Sequence, residues 1–138
     1  MAFWYYEGTK DFVVTTPALI LTFKASGSIT AGRGVTFDAG NTSDVYQATC
    51  PINNKVPVGV ALATVSDDDP VPVLVWGVAK NLTSIGQAKT PGMLIGLSGS
   101  GYFAQATEAS GSSYIAGKVI SGSGTATGKF MAFIDCMK

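Results

Sequence analysis

Apolar and polar residues alternate along most of this chain in runs of three to eight, and clusters of Gly, Ser, Asn, Asp and Pro separate the runs. A period of two is the mark of a strand with one covered face. Leu19, Leu21 and Phe23 alternate with Ile20, Thr22 and Lys24, which predicts a strand. Further strands are predicted at residues 11–16, 35–37, 45–48, 58–63, 71–78, 93–97, 102–106, 115–120 and 130–134. Turns fall at 25–28, 38–41, 66–70, 98–101, 110–113 and 122–124, and 79–88 reads as a connector. No amphipathic helix longer than about two turns fits the pattern. Many short strands with Gly-rich turns predict an all-β barrel or sandwich.

The run from 71 to 78 is the longest. Val71, Val73 and Val75 share one face, and Pro72, Leu74 and Trp76 share the other. Both faces are apolar, so both should be covered. Pro72 lacks an N–H, so that side of the strand should meet an edge or a bulge. Val71, Val73, Val75 and Trp76 are the candidates for a contact between copies of the chain, with plain core burial as the alternative.

A second pattern is a weak internal duplication. Gln47-Ala48-Thr49 recurs as Gln105-Ala106-Thr107, 58 residues on. The same offset lays Gly34 on Gly92, Gly59 on Gly117, and residues 71–76 on 129–134. The predicted fold is therefore a small β-barrel built from two degenerate repeats over residues 26–138, with residues 1–25 left over as an extended N-terminal arm. That arm opens on Phe3, Trp4, Tyr5 and Tyr6 and continues through Phe12 and Val14. Aromatic side chains are enriched at interface cores, so these six are the candidate partner-binding residues.

Composition narrows the function. Lys and Arg number 9, Asp and Glu number 9, and His is absent. A net charge of zero, with no basic stripe, argues against nucleic acid. Charged residues make up 13% of the chain, against roughly 25% in typical soluble domains, which suits a surface covered by neighbours. Without His, the usual general base, nucleophile activator and metal ligand are missing. No enzyme, cofactor or metal site is expected. Cys50 and Cys136 lie far apart and are expected to be free. No apolar run approaches the ~20 residues of a membrane span, and no basic segment precedes the apolar residues near the start. The expected place of synthesis is the cytoplasm.

Three local patterns tempt and fail. Residues 122–129 end in Gly-Lys but lack the spacing of a phosphate loop, and Phe130 follows the lysine. Asp67-Asp68-Asp69 lacks the alternating ligands of a calcium loop and reads as a solvated tip. Asn41-Thr42-Ser43 and Asn81-Leu82-Thr83 match the glycosylation acceptor pattern, which matters only in a secretory route.

Residues 29–32 (Ile-Thr-Ala-Gly), 38–41 (Asp-Ala-Gly-Asn), 56–62 (Val-Pro-Val-Gly-Val-Ala-Leu) and 71–80 (Val-Pro-Val-Leu-Val-Trp-Gly-Val-Ala-Lys) form a series with a degenerate second copy reaching Met137. This series resembles the capsid decoration (cement, or head-stabilising) proteins of tailed phages. The resemblance implies a β-tulip-like barrel, a homotrimer at three-fold and quasi-three-fold positions, and an N-terminal arm that extends a sheet of the major capsid protein. It implies a place on the outer capsid surface of the virion, with no membrane partner and no catalytic residues. A carbohydrate- or host-surface-binding β-module displayed on the virion is the alternative; it predicts an exposed aromatic platform near Tyr102 or Tyr114.

Overall fold

A computed structural model describes residues 18–38, 41–47, 56–85, 87–97, 101–106 and 115–136. They form nine strands: β1 (Leu19–Ala25), β2 (Gly34–Asp38), β3 (Asn41–Gln47), β4 (Gly59–Ala61), β5 (Pro70–Thr83), β6 (Leu94–Leu97), β7 (Phe103–Gln105), β8 (Ile115–Ser121) and β9 (Lys129–Asp135). The fold is all-β, with no α-helix among the described residues.

All nine strands belong to one partly closed sheet, in the order β1-β3-β2-β4-β5-β9-β8-β6-β7. Closure comes from β1. It pairs in parallel with β3 (Ala25 opposite Val45) and antiparallel with β5 (Phe23 opposite Val71). Strands β1, β3, β2, β4 and β5 thus make a complete circuit of pairings. On the far side, an isolated parallel bridge between Ser84 and Phe103 brings β7 back toward the end of β5. Closure removes strand edges that would otherwise template association.

β5 explains why the core has two parts. Val71, Val73 and Val75 point into the first circuit and pack with Ala25, Ile29, Val35, Val45, Val58 and Ala61. Leu74, on the opposite face, packs with Val60, Leu62, Ile95, Leu97, Phe103, Phe130 and Ile134 in a second cluster. Both faces of the run are covered, as its composition predicts. Pro72 pairs opposite Thr22, and its carbonyl accepts from Leu62 N–H at 2.9 Å. β4 has ended at Ala61, so the missing N–H falls where no ladder bond is lost.

Pairings in the two halves correspond closely. Val35 opposite Gln47 is matched by Ile95 opposite Gln105, and Ala61 opposite Val73 by Val119 opposite Ala132. Phe23 opposite Val71 is matched by Leu82 opposite Phe130. Turns agree as well: Gly32 N–H donates to Ala61 O at 2.8 Å, and Gly92 N–H to Val119 O at 2.8 Å. Both glycines are left-handed, with φ of 83° and 89°. The spacing is not constant, however. It is 58 between β4 and β8, 60 between Val35 and Ile95, and 59 between Val73 and Ala132.

Several expectations need correcting. Gly92 corresponds to Gly32 and not to Gly34, and Val71 corresponds to Phe130 and not to Lys129. Residues 79–83, read as connector, continue β5. The strand passes Gly77 at φ 139° and a bulge holding Asn81 at φ 60°, so residues that read as breakers are absorbed inside it. Residues 19–25, assigned to the arm, form β1 and sit within the closed circuit. Their counterpart is the second half of β5.

Candidate functional site

The described residues leave four large apolar side chains exposed: Leu21, Phe37, Val56 and Ile120. The first three line a single concavity of about 330 Å³ at one end of the first circuit. Such a volume lies at the lower end of ligand-sized clefts, roughly 300–1,000 Å³.

Each wall follows from the local sequence. Alternation on β1 turns Leu21 and Phe23 inward, and alternation on β2 turns Val35 and Phe37 to the same side. Phe23 and Phe37 meet edge to face, centroids 5.7 Å apart and planes at 79°, the arrangement that aromatic quadrupoles favour. The approach to β4 is pinned against β2 because Thr36 Oγ1 donates to Val56 O at 2.7 Å and Val58 N–H to Val35 O at 2.8 Å. Val75 and Cys136 form the floor, where Cys136 N–H donates to Val75 O at 3.0 Å. Cys136 Sγ donates to Ala116 O at 3.7 Å. Among the described residues that line the concavity none is charged, which suits an apolar or aromatic occupant.

The position matching Phe37 in the second half is closed. Leu97, the counterpart of Phe37, is buried at 2% exposure, whereas Phe37 is 48% exposed. Leu97 reaches over β2 toward Gly34, where a Cβ would collide with it. A glycine at 34 therefore lets the two halves pack together on that side.

The polar features close on themselves. At the acidic tip, Asp67 Oδ1 accepts from Gly27 N–H at 2.7 Å, Asp69 Oδ2 from Ser66 N–H at 3.2 Å, and Asp68 pairs with Lys24 at 3.2 Å. This exposed pair raises the Lys24 pKa, through the hydrogen bond first and charge second. No group of residues able to hold a metal occurs among the described residues. The Gly-Lys segment at 122–129 is a turn in which Ser123 Oγ accepts from Lys89 N–H and donates to Thr125 O. Tyr102 is half-buried, and the Arg33 guanidinium lies 3.8 Å from its ring centre and donates to its hydroxyl at 2.7 Å. The ring is therefore capped on that face, leaving it poorly suited as a sugar platform. Tyr114 lies outside the described residues.

Sequence reasoning missed Lys89. This residue is 1% exposed and occupies the position that Ile29 holds in the first half. Its ammonium donates to Ser84 Oγ, Ile85 O and Gln87 O at 2.9, 2.9 and 2.7 Å. All three protons are used, and burial lowers its pKa.

The candidate contact residues fare unequally. Val71 and Val73 have no exposed surface and Val75 is 6% exposed; the chain's own core takes them, so they present nothing to another copy. Trp76 is half-buried, stacked edge to face on Phe133 at 5.3 Å, and keeps some surface. Phe3, Trp4, Tyr5, Tyr6, Phe12 and Val14 lie outside the described residues.

No protein-family model matches the chain, and no curated protein matches it. A solved structure does. The fold is similar to the N base of head fiber gp8.5 of bacteriophage phi29. The TM-score is 0.62, the similarity covers 88% of this chain and 98% of that one, and sequence identity is 16%. At that identity the likeness is one of fold.

Proposed function

We propose that this chain is a structural protein of a bacteriophage head, and more narrowly a decoration protein that binds the outer surface of the assembled capsid. The observation that carries the reading is the shared fold with the base of a phage head fiber, extending over nearly all of both chains. The sequence resemblance to cement proteins points the same way, as does a 13% content of charged residues. The matched pairings of the two halves support two copies of one β-unit forming a closed, barrel-like body.

The proposed partners are the major capsid protein and two further copies of this chain. Residues 1–17 carry the aromatic cluster and act as the arm, adding main-chain hydrogen bonds to a capsid sheet and seating side chains beside it. Three arms on one trimer raise the effective concentration at the capsid. Binding that requires the assembled shell stabilises that shell by mass action. Two measurements test this. Sedimentation equilibrium should give three times the chain mass. Saturating protein should raise the melting temperature of expanded empty heads; an unchanged melting temperature with bound protein would remove the stabilising role.

A further inference from the structure

We propose that Ser84 Oγ, Ile85 O and Gln87 O form a small-cation site which the chain fills with its own Lys89 ammonium, and that this occupancy clasps the second circuit shut. The ammonium nitrogen lies 2.9, 2.9 and 2.7 Å from the three oxygens. A neutral amine has two N–H groups, so three acceptors mark the charged form. Ser84 Oγ in turn donates to Gln87 O at 2.8 Å, which leaves its lone pairs to face the ammonium. Lys89 is 1% exposed, and an ion buried so deeply is kept only where other groups replace its water.

Comparison of the two halves shows a paired exchange. Ala25 lies opposite Val45 in a parallel pair, and Ser84 opposite Phe103 in another. Ile29 bridges Val65, and Lys89 exchanges hydrogen bonds with Ser123. Ala25 and Ile29, which share one apolar cluster, thus correspond to Ser84 and Lys89, and all four are buried. An apolar pair in one half is a hydroxyl and an ammonium bonded to each other in the other half. The cage also sits where closure is thinnest. Among the described residues, β1 closes the first circuit by pairing along two strands, whereas β7 returns to the end of β5 through an isolated bridge. Two of the three cage residues make that return: Ser84 by the bridge to Phe103, and Gln87 by donating its side-chain amide to Gln105 on β7. On the other side, Ser84 N–H donates to Gly128 O at 3.0 Å and Ser123 N–H to Lys89 O at 3.0 Å. The ammonium therefore holds in shape the segment that grips β7. Its loss opens the seam between β5 and β7 ahead of the rest of the sheet. The inference is independent of the capsid-binding reading, because its readouts need no capsid.

The test is chemical rescue in the full chain at neutral pH. Lys89→Ala removes the atoms of n-propylammonium. The variant should melt several degrees below the wild type, and added n-propylammonium should restore most of that loss with a saturable dependence. n-Propanol, similar in size but uncharged, and tetramethylammonium, bulkier and without N–H groups, should not restore it. Lys89→Met fills the same space without a charge and should gain nothing from any of the three. Amide exchange gives the second readout. In Lys89→Met, residues 103–106 should exchange several-fold faster than in the wild type, and residues 35–37 at the wild-type rate. If n-propylammonium and n-propanol act alike on Lys89→Ala, the site is a bare cavity and the proposal is overturned. A Lys89→Ala chain that stays unfolded in n-propylammonium overturns it too. Exchange that quickens equally in both halves, or in neither, would overturn the clasp.

Discussion

Lys89 shows how one residue can depart from the pattern around it. In the first half the corresponding place holds Ile29, an apolar plug. In the second half an ammonium replaces it and needs Ser84 and two main-chain carbonyls to offset its lost hydration. Burial lowers its pKa from an ordinary value of 10.5, so between the lowered and ordinary values the unfolded chain binds more protons than the folded one. Stability therefore rises with pH across that window. Urea titrations from pH 7 to 10.5 should show the wild type gaining on Lys89→Met; a constant difference would mean that the charge carries no such cost. Gly59 and Gly117 make the opposite point. A Cβ on either would strike the carbonyl oxygen of the facing strand, Leu74 or Phe133 respectively. Gly59→Ala and Gly117→Ala should each cost ~1–3 kcal/mol in urea melts. Their shared spacing was legible in the sequence. Lys89 was not, because the spacing there is 60 and not the 58 read from the sequence, which shifts the alignment that would have set it on Ile29.

Among the described residues most strands were readable from alternation, because each covers at least one face; the strand expected at 11–16 and the turn expected at 110–113 lie outside them. β5 was cut short in that reading because Gly77 and Asn81 look like breakers, yet the sheet holds both. Nor does alternation reveal which strand closes a circuit. Leu19, Leu21 and Phe23 mark a strand equally well in a detached arm or in the sheet, and only pairing with β3 and β5 decides it. The apolar opening was hidden for the same reason: Leu21, Phe37 and Val56 are distant in sequence and meet only once β1 closes the ring. Deleting residues 1–12 should leave the melting transition in place, whereas deleting 1–25 removes β1 and should abolish cooperative unfolding. Matched positions in the two halves should respond unequally. Leu97→Ala should cost ~2–5 kcal/mol, and Phe37→Ala less than ~1 kcal/mol. Equal losses would contradict the open end.

At the scale of the whole molecule, a partly closed sheet and a low content of charged residues suit the proposed role at a neighbouring surface. In the proposed function that surface is a phage head, and the aromatic start of the chain is its means of attachment. Toward the proposed assembly role the sequence offers its lack of His and its 13% content of charged residues. The contact residues themselves were harder to read. A valine run apolar on both faces can serve a core or an interface equally well, and here the core took it. The most direct test is co-sedimentation of the purified chain with expanded empty heads of its phage. The account predicts binding that saturates at a fixed ratio to capsid subunits and is lost when residues 1–12 are deleted. Failure of the full chain to associate with the heads at any ratio would contradict it.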